Sequence, residues 1–395
     1  MTSVRKVIHY APLFYPHLGG AESHVLNLLH HSKNVESVVI TNRLKGTPSR
    51  ERIEDAKVVR MNPKYRKISS KSPTIFRYIG RPINAIFDYW RSKRKREWLA
   101  NQDFDLLNVH SIYDVDALLR LYSKSGWEHL YNLALRLNDF RWLRKRMVFT
   151  EHGLYTTLGR WGPISERLAK DLTSLHKNVI CVERKSFETL IKWFNDEKEK
   201  RVWLVPNGVR LDKFLMTPPP LGEKLRIGYA SRLDKQGINL LEATARILPS
   251  NMQIVVAGAG QHEPSRFRDL VSNNKMILLG GIPQKDMPDF FNSIDVLLET
   301  HDLDIYGLNI LEAMACGRPV IRVKGAYRYP VINGETGYLV EPTAKAVMDK
   351  IVEISKNPDI IWKLGQNART LIEHEFGAEK MCAHIHEIYE EVAAS

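Results

Sequence analysis

Short apolar runs alternate with stretches of helix-forming composition along most of this chain, and that alternation limits its fold more than any other feature. Residues 6–11, 37–41, 56–60, 105–110, 146–151, 178–182 and 203–205 read as strands of a first series. Residues 226–230, 252–257, 276–279, 294–298, 318–323 and 337–340 read as a second. Helical patterns stand between and after them: Val25, Leu28 and Leu29 recur at helical spacing, and residues 238–248, 286–292, 309–315 and 379–392 have helix-forming composition. Strands joined through helices form parallel sheets, so both halves are predicted to be α/β with doubly wound sheets. At 395 residues the chain exceeds one ordinary core. Pro206-Asn207-Gly208-Val209 and Pro218-Pro219-Pro220 punctuate it near the middle. The expected domains are Rossmann-like and cover 1–206 and 207–375, with a closing helical segment over 376–395.

The most informative stretch is 298–317, LETHDLDIYGLNILEAMACG. An apolar run leads into the polar loop 301–304, a tight turn at Tyr306-Gly307-Leu308, and a helix. Open parallel sheets bind ligands at the carboxyl ends of their strands, and helix N-termini attract phosphates. Asp304 on the loop and Glu312 about one turn into the helix add two carboxylates suited to hydroxyl groups. An anion pocket beside two such carboxylates suits a sugar nucleotide. Near the N-terminus, Gly19-Gly20 joins the first strand to a helix and lets backbone N–H groups approach a phosphate. Two glycines that simply turn the chain would look the same. His110 and His152 each end a strand, and Gly153 lets the chain turn sharply beside the second.

Composition narrows the partners. The formal charge is +13, and residues 43–96 alone hold seventeen Lys and Arg against four Asp and Glu. A general nucleic-acid coat would not be so confined, and no helix-turn-helix, zinc or RNA-binding motif appears. Ile75, Phe76, Ile79, Ile83, Ile86, Phe87 and Trp90 recur within this region at helical spacing, followed by Arg91, Lys93, Arg94, Lys95 and Arg96. A basic, aromatic-bearing amphipathic helix reads as a membrane-surface element; a core-packed helix with its charged face in water gives the same pattern. No run approaches the ~20 apolar residues of a membrane span. The first apolar run is too short for a signal peptide. Cys181, Cys316 and Cys382 are odd in number and far apart, so reduced thiols and a cytoplasmic protein, at the membrane's cytoplasmic face, are expected.

These motifs resemble those of the retaining family 4 glycosyltransferases, also called glycosyltransferase group 1, of GT-B fold. The resemblance covers nearly the whole chain. It rests on Gly19-Gly20-Ala21-Glu22, Glu151-His152-Gly153, Pro206-Asn207-Gly208-Val209 with Phe214, and Ser231-Arg232-Leu233. It continues through Gly258-Ala259-Gly260, the specific run from Gly307-Leu308 through Glu312 to Val320, and Asn333-Gly334-Glu335-Thr336-Gly337. It implies two facing Rossmann-like domains with the donor in a cleft between them and a C-terminal helix that crosses back to the first. By the same resemblance Glu312 holds the ribose, and Asp304 with the amides of Tyr306, Gly307 and Leu308 meets the sugar and phosphates. Arg232 neutralises the diphosphate and His152 approaches the reacting carbon. Gly19, Gly20, Lys235, Gly258 and Gly260 complete the donor contacts. No metal and no cofactor are implied, since the nucleotide sugar is a substrate. The acceptor is a glycan or lipid-linked molecule held by the first domain.

This chain departs from the family pattern in three places. Asp304 stands where Glu is usual. Arg232-Leu233-Asp234-Lys235-Gln236-Gly237 is one residue short of the usual phosphate loop, which leaves Lys235 as a substitute. Gly325-Ala326-Tyr327-Arg328 replaces a Gly-Gly and Glu segment. These departures motivate an alternative: a sugar-nucleotide-binding protein with weak or lost transfer. Asp302-Leu303-Asp304 imitates a metal-binding Asp-x-Asp, but Arg232 and helix N-termini can supply the positive charge instead. A dehydrogenase is disfavoured because the first glycines do not follow Gly-x-Gly-x-x-Gly.

Overall fold

A computed structural model describes residues 4–11, 13–17, 19–61, 97–110, 146–153, 170, 173–174, 176–231, 233, 237–260, 263–301, 307–325 and 329–395. Its contacts group into two units, residues 1–206 with 381–395, and residues 207–380. The first unit contains β1 (Lys6–Tyr10), α1 (Gly20–His31), β2 (Glu36–Asn42), β3 (Arg50–Ile53), β4 (Ala56–Met61), β5 (Leu106–Val109), β6 (Met147–Glu151), β7 (Asn178–Cys181), α2 (Arg184–Trp193) and β8 (Arg201–Leu204). Its sheet order is β3-β4-β2-β1-β5-β6-β7-β8. Every pairing is parallel except β3 with β4. That exception corrects the all-parallel expectation and has a local cause. Glu54 and Asp55 both take positive φ, 46° and 63°, the geometry of a two-residue hairpin turn, which joins only antiparallel strands.

The second unit contains β9 (Leu225–Ala230), α3 (Ile238–Arg246), β10 (Met252–Ala257), α4 (Glu263–Arg266), α5 (Arg268–Ser272), β11 (Met276–Gly280), α6 (Met287–Asn292), β12 (Val296–Glu299), α7 (Leu308–Ala315), β13 (Val320–Val323), β14 (Gly337–Val340), α8 (Ala344–Ser355) and α9 (Pro358–Glu375). Its six strands run parallel in the order β11-β10-β9-β12-β13-β14. In β10, Met252 to Ala257 are all buried, as in a strand covered on both faces. The motifs do not mark α8 and α9. Their apolar residues are nonetheless spaced for one buried face: Val347, Met348, Ile351 and Ile354 in α8, and Ile361, Leu364, Ala368 and Ile372 in α9. The Thr343 side chain caps α8 by accepting the Ala346 N–H at 3.2 Å.

The last helix, α10 (Ala378–Ala393), belongs from Met381 onward to the first unit. Met381, Cys382, Ile385, Ile388, Tyr389 and Val392 pack with Val7, Leu28, Leu106, Val148 and Ile180. Tyr389 Oη accepts the Asn108 amide N–H at 2.5 Å, and Thr150 Oγ1 donates to the other end of that amide at 2.8 Å. The helix is therefore tied to β5 and β6 by polar contacts as well as apolar ones. All three cysteines are free and buried. Among the described residues no helix is long and apolar enough to cross a membrane.

In both sheets the strand order reverses once near the middle, between β1 and β5 and between β9 and β12. Ligand crevices in open α/β sheets form at the carboxyl ends of strands flanking such a reversal. Helix α9 closely approaches the segment after α7 at Gly365, where an added Cβ would lie 2.1 Å from the Gly317 carbonyl oxygen. Gly365→Ala should therefore cost about 2 kcal/mol through forced displacement of α9. A lowered denaturation midpoint is the expected result, and an unchanged midpoint would refute the close approach.

Candidate functional site

In the second unit the site is built where β12 turns into α7. Gly307 takes an extended conformation at the N-cap and its carbonyl accepts the Ile310 and Leu311 N–H groups at 3.0 and 3.4 Å, which leaves the Leu308 and Asn309 N–H groups without an acceptor inside the helix. Gly307 and Leu308 are half-buried there. Ile310 to Ala315 are all buried, Glu312 among them at 6% exposure. The Glu312 Oε1 atom accepts the Gln284 side-chain N–H at 2.7 Å. Burial pushes this carboxyl up to about 8, against the smaller downward pull of the Gln284 hydrogen bond. A half-satisfied buried carboxyl one turn into a helix suits a pair of vicinal hydroxyls. Gly258 directly follows β10, but its N–H already donates to the Gly280 carbonyl at 2.8 Å, so that amide is engaged with β11. Gly260 follows two residues later and is half-buried. The expected contacts from Arg232, Lys235, Asp304 and Tyr306 fall outside the described residues.

Two further polar side chains from the same turn carry no family signal. Glu299, the last residue of β12, is buried and accepts the Asn309 amide N–H at 2.9 Å and the His301 backbone N–H at 3.0 Å. It also accepts the His301 ring N–H. Burial alone would raise the Glu299 carboxyl, but the His301 and Asn309 hydrogen bonds overrule it and hold it below the usual range. Asn309 donates as well to the Ala230 carbonyl at 3.0 Å, which links the start of α7 to the end of β9. The only sequence signal for this group is the polar run Glu299-Thr300-His301 at the end of an apolar strand.

In the first unit Gly20 opens α1, with Gly19 as its N-cap. A Cβ on Gly19 would lie 2.6 Å from Glu22 Oε2, so this glycine makes room for a buried carboxylate in the first turn. Glu22 meets His17 Nδ1 at 3.2 Å. Around the reversal between β1 and β5 lie four imidazoles: His9 in β1, His24 in α1, His110 after β5 and His152 after β6. His9 Nδ1 is 3.0 Å from His110 Nε2, and His110 Nδ1 is 3.3 Å from His152 Nε2. The His24 and His152 rings meet edge to face at 4.8 Å. Ring nitrogens of His24, His110 and His152 all lie within 4.8 Å of one another, close enough to converge on one metal ion. Both nitrogens of His110 already face other imidazoles. His110 and His152 are signalled by their strand-end positions, whereas His9 and His24 are hidden inside apolar patterns.

Burial, followed by the mutual repulsion of like charges, depresses these groups: His9 falls to about 3, and His110 and His152 lie well below the ordinary histidine value. His152 is therefore neutral near pH 7, able to accept or donate a hydrogen bond but not to supply a cation. The sign of the linkage follows. Below about pH 6.5 the unfolded chain takes up protons that the folded cluster refuses, so stability falls as the pH falls. Replacing His9 by Phe should flatten the loss of stability between about pH 7 and pH 5 in denaturant titrations. An unchanged slope would contradict the burial argument.

Two family models match this chain: "Glycosyltransferase Family 4" over residues 18–213 and "Glycosyl transferases group 1" over residues 224–357. It is 28% identical over 202 residues to a capsular polysaccharide biosynthesis glycosyltransferase of Staphylococcus aureus, covering 46% of this chain and 52% of that one. The chain thus spans about half the length of that relative. An uncharacterized glycosyltransferase of Methanocaldococcus jannaschii is 25% identical over 96% of this chain and 97% of its own length. The fold matches that of a sucrose-phosphate synthase from Thermosynechococcus elongatus, with a TM-score of 0.72 and 18% identity over 99% of this chain and 100% of that one. Two Rossmann-like units in the GT-B arrangement of elements, together with both matched models, establish that the chain belongs to the group 1, family 4 glycosyltransferases.

Proposed function

We propose that this protein transfers a sugar from a UDP- or GDP-sugar to a glycan or lipid-linked acceptor, with retention of anomeric configuration. The observation that carries the donor half is the start of α7, where the Leu308 and Asn309 backbone amides lack an acceptor within the helix and the buried Glu312 carboxyl follows about one turn later. Amides at a helix N-terminus stabilise the negative charge that builds on a departing diphosphate. Glu312 accepts hydrogen bonds from the ribose hydroxyls. The bond between the anomeric carbon and the phosphate oxygen breaks, and a bond to the acceptor oxygen forms. The proton of the acceptor hydroxyl passes to the leaving phosphate.

Arg232, Asp304 and His152 are assigned to this step on their sequence motifs: Arg232 on the diphosphate, Asp304 on the sugar, His152 as a neutral hydrogen-bonding partner. Gly19, Gly20, Gly260 and Lys235 complete the donor contacts in this reading, and no metal is required. The acceptor half rests on the confined basic region 43–96 and on the resemblance to a capsular polysaccharide enzyme. Peripheral contact with an anionic, cytoplasmic membrane face follows from that charge, each Lys or Arg contributing about 1 kcal/mol near such a surface.

Diphosphate release measured across a panel of nucleotide sugars and acceptors tests the reading. Turnover with one donor is expected; donor binding without turnover would favour a binding protein that has lost transfer. Glu312→Ala should weaken nucleotide binding about tenfold to a hundredfold, and unchanged affinity would refute the ribose role. Because ribose hydroxyls favour the ionised carboxylate, donor affinity should rise as the pH climbs through about 8. Glu312→Gln should remove that rise in titration calorimetry. Binding to anionic vesicles should fall on added salt and on charge reversal of Arg91, Lys93, Arg94, Lys95 and Arg96. Salt-insensitive binding would exclude an electrostatic membrane contact.

A further inference from the structure

His301 stands at the carboxyl end of β12, beside the strand-order reversal, with its ring 7% exposed and stacked 6.0 Å from Tyr229. Its Nε2 atom is buried and finds no hydrogen-bond partner among the described residues. An orphaned buried polar atom typically costs about 1–3 kcal/mol, and such exceptions in native folds call for an explanation. The neighbouring contacts make the orphan specific. An ionised carboxylate can only accept, so Nδ1 donates to Glu299, and in the neutral imidazole Nε2 is then the acceptor of the ring. The carboxylate is itself fixed by Asn309 and by the backbone N–H of His301. Thr300 Oγ1 donates to the Gly237 carbonyl at 3.0 Å and holds the intervening residue.

At the carboxyl end of β12, where open α/β sheets bind ligands, a buried acceptor selects a donor. Ionised phosphate oxygens carry no hydrogen to give, whereas a sugar hydroxyl does. Glu312, assigned to the ribose, faces Gln284 in the segment after β11, while His301 faces Tyr229 in β9. These different surroundings assign the two to different parts of one donor.

We propose that His301 Nε2 accepts a hydrogen bond from a hydroxyl of the transferred sugar, with Glu299 as the positioning residue, making the pair a determinant of sugar specificity. This rests on the donor reading above. Neither residue belongs to the motifs that carry the family resemblance.

The test is titration calorimetry of the full chain with UDP, GDP, UDP-glucose, UDP-N-acetylglucosamine and GDP-mannose, then with derivatives of the bound donor lacking one sugar hydroxyl each. His301→Ala should leave nucleoside diphosphate affinity within about twofold and weaken the nucleotide sugar about tenfold. One deoxy derivative should bind the wild type correspondingly weakly and lose nothing more on His301→Ala. His301→Gln, whose amide oxygen reaches the Nε2 position, should recover part of the loss. Glu299→Ala should weaken the same sugar, and its effect should not add to that of His301→Ala in the double variant. If His301→Ala does not fold, His301→Asn carries the same test, because its shorter amide cannot reach. Equal losses for diphosphate and nucleotide sugar, or full additivity with every deoxy derivative, would overturn the inference. A wild-type protein that binds diphosphates and nucleotide sugars not at all would overturn the donor reading itself.

Discussion

The burial of α7 on every side is the constraint on which the rest of the second unit depends. A helix with one exposed face can shift along its axis; one buried from Ile310 to Ala315 cannot. Arg318 completes the lock. Its guanidinium is wholly buried and donates to the Phe291 carbonyl at 2.9 Å, the Thr217 hydroxyl at 2.6 Å, the Thr217 carbonyl at 2.9 Å and Asn292 Oδ1 at 3.2 Å. Burial depresses this group, and removal of one hydrogen-bond partner from such a network typically costs about 1–3 kcal/mol. A fixed α7 fixes its N-terminal amides and Glu312 together, the preorganisation that electrostatic catalysis needs.

Glu299 of the second unit and the buried histidines of the first respond to burial in opposite ways. Glu299 keeps its charge in the interior because three N–H groups surround it. In the first unit burial instead holds His9, His110 and His152 below the ordinary histidine value, which favours their neutral forms near pH 7.

Much of the second unit was legible in its residues. The apolar run of β12, the turn at Gly307 and the helix that follows are adjacent in sequence, so local pattern suffices to place the Glu312 carboxyl on a helix at a strand end. The hairpin at Glu54-Asp55 escaped because neither residue is the glycine or asparagine that usually marks a positive φ. Helices α8 and α9 carry no motif, although their apolar spacing is regular. His9 could not have been paired with His110 from sequence: both lie in or beside apolar strands, and only the parallel register of β1 with β5 brings residues a hundred positions apart together. The Glu299–His301 contact is local, yet its meaning depends on burial and on which ring nitrogen is left over, and a string of letters shows neither.

The membership of α10 in the first unit has a consequence for how the chain is made. The second unit is one continuous segment, whereas the first consists of two pieces separated by all of it. During synthesis the first sheet emerges early, but the face formed by Val7, Leu106, Val148 and Ile180 stays uncovered until Met381 to Val392 leave the ribosome. The usual order, in which the N-terminal domain completes first, is thereby inverted. The second unit can close while the first still waits for its final helix.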